Sequence, residues 1–276
     1  DGDIVPPFPA YAVIVYDICS SPLTINEPIV QLDKVKFPDF KDFLMQEIEL
    51  PKDKQFALEN YNGKNYNTIT LRQVLLYPQR SGTLNIDKMT CDAIIRVRNT
   101  GPSRSIFDDF FDSYTTATKP LTSPGVTIHV SNLPTGKPSG FSGGVGRFSI
   151  SSNISNTELQ ANEAITLTLT IQGSGNMKLL KTPAVDWPEG FEPYDPKVTN
   201  NFKTTISGVS GTKTIEYLAI PRAGGVYTIP AIQFSYFDIE SDSYRTLTTS
   251  EYTLNIARGS GDDENATVVN NYVQKE

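Results

Sequence analysis

Histidine and cysteine are scarce in this sequence, which has one histidine and two cysteines in 276 residues. No pattern places a nucleophile and an orienting carboxylate near His129, so we expect it to be a structural or surface residue. One histidine and two cysteines cannot complete a tetrahedral zinc site without carboxylates. We therefore expect a protein that is not an enzyme, with no catalytic residue, no bound metal and no cofactor.

Long apolar runs and an excess of basic residues are also missing. No stretch approaches the ~18 apolar residues that a membrane-spanning helix needs, and the sequence from Asp1 shows no signal-peptide pattern. The net charge is −7 and the pI is about 4.9. This acidity argues against nucleic acid or an anionic membrane surface as a partner. A secreted protein, or the soluble part of a membrane-anchored one, would share these features.

The residues that dominate instead are those typical of short strands and tight turns. Thr, Tyr, Val, Ile, Gly, Pro, Asn and Ser are abundant, and helix-forming stretches are few. Residues 164–171 alternate apolar and polar side chains, which predicts a strand with one buried face. Asn62-Gly63 predicts a tight hairpin, and we also expect a turn at residues 173–176.

One stretch occurs twice in the chain. In each copy an apolar strand runs into a proline, Pro78 or Pro221, and a glycine follows four residues later, Gly82 or Gly225. Proline presets φ as the chain leaves a strand, and glycine accepts the positive φ that a turn often needs. We predict a hairpin at each copy, with residues fixed by conformation rather than by chemistry.

A corner that combines an aromatic residue with proline precedes each copy by a similar length of chain. Phe37-Pro38 precedes the first copy and Trp187-Pro188 the second. This matching order indicates one fold present twice. We expect the aromatic side chains at these corners, Trp187 among them, to fill the core of each module.

The sequence thus predicts an all-β protein with tandem β-sandwich domains of the immunoglobulin or fibronectin class. Residues 1–10 are expected to be a linker or a ragged start, and residues 11–131 a first sandwich that lacks a clear opening strand. Residues 132–146 are rich in Gly and Pro and predict a linker. Residues 147–257 predict the second sandwich, and the polar, acidic residues 258–276 a disordered tail.

Several short stretches, in order and spacing, resemble the extracytoplasmic region of the BatD family, the oxygen-tolerance or aerotolerance proteins of bacteria. The resemblance covers roughly residues 11–257. It is carried by Asn62-Gly63-Lys64-Asn65-Tyr66, Leu76-Tyr77-Pro78-Gln79-Arg80-Ser81-Gly82, Gly136-Lys137-Pro138, Phe141-Ser142-Gly143, Gly146-Arg147-Phe148, Ile165-Thr166-Leu167, Leu180-Lys181-Thr182-Pro183 and Pro188-Glu189-Gly190-Phe191.

The resemblance implies a periplasmic location, with tandem Ig-like domains anchored to the cytoplasmic membrane by a helix that lies outside this sequence. It also implies a further β-domain before the first module. The implied partners are Bat proteins with von Willebrand factor A or tetratricopeptide domains, in a membrane complex linked to oxygen tolerance or envelope stress. The family has no established catalytic residues, so the resemblance adds none here.

One loop has no counterpart in the second module. It contains Phe107, Asp108, Asp109, Phe110 and Phe111. Its aromatic side chains either pack under a sheet or form an exposed anchor for a partner. Its acidic residues, like those at 262–264, lack the spacing of an EF-hand calcium loop. We predict a partner-binding site in this loop.

The two cysteines, Cys19 and Cys91, fall on an early and a late strand of the first module. Such strands can face each other across an Ig-like core, so the two residues could form a disulfide in an oxidising compartment. Two separate thiols are the alternative.

Two functions remain in view. The preferred one is a non-enzymatic scaffold or protein-interaction module outside the cytoplasm. The alternative is a carbohydrate-binding or adhesin-type β-sandwich, which predicts exposed, coplanar aromatic side chains on one face.

Overall fold

The computed structural model describes residues 4–5, 12–20, 29–53, 57–61, 63–98 and 114–258, and for some of them, including 12–20, the backbone alone. The chain divides into two compact units, Asp1–Asn132 and Leu133–Glu276. Strands make up almost all of the regular structure. No helix among these residues is long and apolar enough to span a membrane.

The described residues of the first unit form ten strands. In chain order they are β1 (Ile4–Val5), β2 (Ala12–Ser20), β3 (Ile29–Lys36), β4 (Phe43–Glu47), β5 (Ala57–Tyr61), β6 (Lys64–Pro78), β7 (Gly82–Ile86), β8 (Thr90–Arg98), β9 (Tyr114–Thr122) and β10 (Val126–Val130).

These strands form three sheets that share one core. β6 pairs with β2, β4 and β5; β8 pairs with β3 and β9; and β10 pairs with β1 and β7. The core cluster takes side chains from each sheet, among them Leu76 on β6, Leu84 on β7 and Cys91 on β8. This packing of sheet against sheet is the β-sandwich that the sequence predicts.

The aromatic corner of the first unit lies where the sequence predicts it. Phe40 and Phe43 are both buried in the core cluster. The Arg72 guanidinium lies 4.9 Å from the centroid of the Phe37 ring and 5.8 Å from that of Phe40. A cation over these ring faces is attracted by the π electrons, so Arg72 covers the corner from outside.

Between residues 133 and 258 the second unit forms ten further strands and one short 3₁₀ helix, Met177–Leu179. The strands are β11 (Phe141–Ile154), β12 (Glu158–Gln160), β13 (Ile165–Gly175), β14 (Phe191–Pro193), β15 (Lys197–Thr205), β16 (Gly208–Pro221), β17 (Gly225–Ile229), β18 (Gln233–Asp238), β19 (Ser243–Thr248) and β20 (Tyr252–Ala257).

These strands form a large sheet and a small one. The large sheet runs β14-β16-β13-β11-β18-β19, with β15 also paired to β16, and the small sheet runs β12-β20-β17. On β13 every second side chain from Ile165 to Ile171 is buried, as the predicted alternation requires. On the small sheet Ile229, Leu254 and Ile256 are buried. Each sheet therefore has one face in a core.

The hairpin prediction is correct at one place and wrong at two. β5 and β6 pair directly from Tyr61 and Lys64 around Gly63, whose φ is +76°. The two copies of the repeated turn are not hairpins, because β7 pairs with β10 rather than with β6, and β17 pairs with β20 rather than with β16. In both copies the chain leaves one sheet after the proline and enters another.

The linker predicted for residues 132–146 is too long at its C-terminal end. β11 begins at Phe141, and residues 141–145 pair in parallel with β18. Gly144 and Gly146 serve close packing rather than chain flexibility. Gly146 lies opposite Gly175, and a Cβ added to Gly146 would lie 2.1 Å from the Ser174 carbonyl oxygen. A side chain would push the two strands apart.

Glycine also continues a strand where the sequence predicts a turn. Residues 173–175 belong to β13, and a Cβ on Gly173 would lie 2.1 Å from the Arg147 carbonyl oxygen. Composition alone points to a turn, but the ladder to β11 and β16 continues through these residues.

Candidate functional site

The loop predicted to bind a partner lies outside the described residues. Phe107, Asp108, Asp109, Phe110 and Phe111 fall in the gap between β8 and β9. Their role therefore stays a prediction from the sequence.

The two cysteines lie in different sheets of the first unit. Cys91 on β8 is a buried, free thiol in this structure, and its burial raises the pKa of the thiol. Cys19 lies on β2, with its side chain outside the described part of the chain. The disulfide between them thus stays a prediction.

His129 occupies the surface position that the sequence indicates. It lies exposed on β10, with Nδ1 3.2 Å from Thr83 Oγ1 on the neighbouring strand. Within the described ranges, no three His, Cys, Asp or Glu residues gather into a group that could hold a metal ion.

Trp187 does not fill the core of the second unit, so that prediction is wrong. It is half-buried, and its ring stacks with Phe191 at a centroid distance of 5.8 Å. Phe191 in turn meets the edge of Tyr227. In the described part of the chain, Tyr194 is the one aromatic residue among the exposed large apolar side chains. The row of exposed coplanar rings that a sugar-binding face needs is thus not found in the described residues.

Two stretches that carry the BatD resemblance meet at a pocket in the second unit. Residues 137–142 form one wall and residues 181–184 the other, and Gln233 and Phe234 at the start of β18 close it. Its volume is about 490 Å³, within the range of small-ligand and peptide pockets. These stretches are separated by about forty residues, and the fold brings them together.

The first wall is a tight turn anchored to β18 and β19. The Phe141 N–H donates to the Pro138 carbonyl oxygen at 3.2 Å. The Phe141 ring contacts the edge of the Tyr244 ring, and the Tyr244 hydroxyl donates to the Pro134 carbonyl oxygen at 2.9 Å. The buried Ser142 hydroxyl donates to the Ser235 carbonyl oxygen at 2.7 Å. These contacts fix the turn on the sheet.

The second wall is joined to the first by backbone and amide hydrogen bonds. The Lys181 N–H donates to the Ser142 carbonyl oxygen at 2.9 Å. The buried Asn176 amide donates through Nδ2 to the Gly143 carbonyl oxygen and accepts through Oδ1 from the Val145 N–H, both at 2.7 Å. The Lys181 bond joins the two walls directly, and Asn176 fixes the start of β11 next to the first wall.

Two side chains on β16 support the second wall from the core side. Lys213, buried on the face that also carries Ile215, donates from Nζ to the Leu180 carbonyl oxygen at 2.6 Å. The Tyr217 hydroxyl donates to the Pro183 carbonyl oxygen at 2.7 Å. Burial lowers the pKa of Lys213 and raises the pKa of Tyr217. Residues 180–183 belong to no strand, and these two side-chain bonds position them together with the Lys181 backbone bond.

The pocket is suited to binding rather than to bond breaking. Ser142 Oγ already donates to Ser235 and accepts from the Gly144 N–H at 3.1 Å, so no base is placed to activate it. Lys137 and Lys181 line the pocket and are exposed, and no carboxylate is among the lining residues. The arrangement presents positive charge beside hydroxyl, amide and apolar groups.

Sequence reasoning missed the buried polar residues that build this site. Lys213 lies two residues before Ile215 and four before Tyr217, so it takes an inward position in the alternation of β16. A lysine at an inward position of a strand indicates a buried polar contact, and this was the signal in the sequence. The sequence around Asn176 contains no such signal, because the hydrogen-bonding partners of Asn176 lie about thirty residues away.

The comparison with protein-family models finds one match in the second unit. Residues 152–256 match the model described as "BatD DUF11 like domain". A comparison with curated proteins finds no match. The matched residues run from within β11 to within β20, and so cover the large and small sheets of this unit. The resemblance to the BatD family is thus confirmed over residues 152–256.

Proposed function

We propose that the chain is a non-enzymatic, extracytoplasmic interaction module of a membrane-anchored BatD-like protein, linked to oxygen tolerance or envelope stress. The observation that carries the proposal is the BatD family match over residues 152–256. The resemblance noted above extends it to the first unit and to the implied setting outside the cytoplasmic membrane.

The side chains of the described residues support a binding role over a catalytic one. The exposed His129 has the Thr83 hydroxyl, and no carboxylate, as its hydrogen-bonding partner. Cys91 is buried, and its raised pKa disfavours the reactive thiolate. General acid-base or nucleophilic catalysis needs such groups in contact with each other at an accessible site.

The partners in this proposal are proteins of the same membrane complex. Bat proteins with von Willebrand factor A domains and with tetratricopeptide repeats are the candidates. The two β-sandwich units present strand edges and loops for such contacts, and sheet edges bind extended segments by backbone hydrogen bonds.

The test is co-purification of the tagged full-length protein from its own membrane, with bound proteins quantified by mass spectrometry. We expect Bat proteins of both classes in the eluate. A second arm deletes residues 106–112, and we expect loss of at least one partner if the Phe-Asp loop is its anchor. Unchanged capture by the deletion variant would exclude the loop as the site. Absence of both partners from the wild-type eluate would contradict the proposed function.

A further inference from the structure

The pocket between residues 137–142 and 181–184 concentrates positive charge on an acidic protein. The net charge of the chain is −7, yet Lys137 and Lys181 line this pocket without any Asp or Glu among its lining residues. An anionic group that approached the pocket would meet two ammonium groups and no repelling carboxylate in its lining.

Four other cations of this unit have carboxylate partners. Arg147 pairs with Glu240, Lys197 with Glu216, Arg222 with Glu192 and Arg245 with Asp238. Within residues 133–258, neither Lys137 nor Lys181 has a carboxylate within ion-pair distance. The Lys137 ammonium lies 6.0 Å from the centroid of the Phe141 ring, which is also a pocket-lining residue. Both charges therefore remain available to a ligand.

The walls of the pocket are held before any ligand arrives. Ser142, Asn176 and Lys213 are buried. Ser142 fixes the first wall, and Asn176 and Lys213 bond the carbonyl oxygens of Gly143 and Leu180, the residues that adjoin the two walls. Binding would therefore cost little free energy for ordering the protein, because the backbone of the pocket is already in place. Pro138, Phe141 and Pro183 add apolar surface beside the two lysines, which suits the aliphatic part of a side chain or a peptide backbone.

We propose that this pocket binds an acidic peptide segment of the protein partner, with Lys137 and Lys181 contacting Asp or Glu carboxylates of that segment. The inference rests on the proposed function, since it names the chemistry by which this module recognises its partner. Charge complementarity sets the specificity, and the mixed polar and apolar lining holds the segment against the two walls.

The first test reverses the charges in the full-length, membrane-anchored protein. In Lys137→Glu/Lys181→Glu we expect partner capture to fall about tenfold or more, because attraction becomes repulsion at the contact. Lys137→Arg/Lys181→Arg keeps the charge and should retain capture. Lys178→Glu/Lys203→Glu makes the same change in net charge at exposed lysines outside the pocket, and it should also retain capture. Circular dichroism and thermal melting confirm that each variant is folded.

The second test is zero-length cross-linking of the captured complex with a carbodiimide, followed by mass spectrometry. The expected product is an amide bond between Lys137 or Lys181 and an Asp or Glu side chain of the partner. Normal capture by the charge-reversed variant would overturn this inference while leaving the proposed function intact. Capture lost equally in the Lys178/Lys203 control would overturn it too, because net charge alone would then explain the loss. Failure of the wild-type protein to capture any Bat partner would overturn both.

Discussion

Phe191 lies opposite Pro221 in the pairing of β14 with β16. The first unit repeats this relationship, because Phe43 lies opposite Pro78 in the pairing of β4 with β6. In both units the proline ends the central strand and the phenylalanine begins the short strand beside it. The repeat seen in the sequence is therefore a repeat of strand register.

A backbone hydrogen bond recurs at the same place in each unit. The residue after the proline donates its N–H to the residue before the phenylalanine: Gln79 to the Asp42 carbonyl oxygen, and Arg222 to the Gly190 carbonyl oxygen, both at 2.9 Å. This bond holds the end of the strand as the chain crosses to the other sheet.

In each unit an ion pair between an arginine and a carboxylate lies where the chain crosses from one sheet to the other, but the paired residues take different positions in the two units. Arg80 makes two 2.8 Å hydrogen bonds to the Asp42 carboxylate, which lower the pKa of Asp42. In the second unit Arg222 pairs with Glu192 and lowers its pKa. The two units thus keep the same backbone geometry while the side chains that support it have shifted.

Replacing Gly173 with alanine should destabilise the second unit by about 3 kcal/mol, because the added Cβ would meet the backbone of β11. The measurement is the free energy of unfolding of that unit in a calorimetric or denaturant titration. Ser210→Ala is the control, since Ser210 is exposed on β16 and should change little. Equal stability of the two variants would show that β11 and β13 can separate at low cost.

Replacing Gln46 with methionine should stabilise the first unit by about 1 kcal/mol. Both amide atoms of Gln46 are buried without a hydrogen-bonding partner, and an unpaired buried amide costs free energy that a thioether of similar shape avoids. Gln79→Met is the matched control, because the Gln79 amide donates to the Tyr77 carbonyl oxygen and its loss should not stabilise. A destabilised Gln46→Met variant would reveal a partner for this amide.

Lys213 should make the stability of the second unit depend on alkaline pH. Its pKa is lowered by burial from 10.5, so the unfolded chain binds more protons than the folded chain between the folded pKa and 10.5. The free energy of unfolding should therefore rise with pH across that window. The Lys213→Met variant should lack this rise. The measurement is the difference in the free energy of unfolding between the wild type and the variant as a function of pH.

At neutral pH we expect Lys213→Met to change the stability by no more than about 1 kcal/mol. The variant loses the hydrogen bond to Leu180, but it also avoids the desolvation cost of burying a charged ammonium group, and the two effects offset each other. Lys178→Met, at an exposed lysine, is the control and should retain the wild-type pH dependence. A wild-type slope in Lys213→Met would assign the titration to another group.

Cys91 should resist alkylation in the folded protein. In the unfolded chain it should react even when no reductant is added. Burial raises the pKa of this thiol, and the thiolate is the reactive form. The measurement is the mass of the protein after iodoacetamide treatment under native and denaturing conditions. A denatured chain with no reactive thiol, but two after reduction, would instead establish the Cys19–Cys91 disulfide.

The sequence predicted features that depend on neighbours along the chain. Alternation in residues 164–171, the Asn62-Gly63 hairpin and the all-β class rest on local preferences, and each is confirmed. The repeat is visible in the sequence but its partner strands are not, because β7 and β17 pair with β10 and β20, which are distant along the chain.

The pocket could not be predicted from the sequence for the same reason. Its walls and supports, such as Asn176 with Gly143 and Lys213 with Leu180, are contacts between distant residues. The glycines of residues 143–146 were ambiguous, since chain flexibility and close strand contact require the same residue.

Direct binding of the purified chain of residues 1–276 to purified Bat proteins tests the central claim most closely. The measurement is isothermal calorimetry against a protein with a von Willebrand factor A domain and against one with tetratricopeptide repeats. We predict saturable binding to at least one of them, weakened as ionic strength rises because charged contacts are screened. No binding to either by the folded chain, together with saturable binding to a glycan, would contradict the interaction-module account.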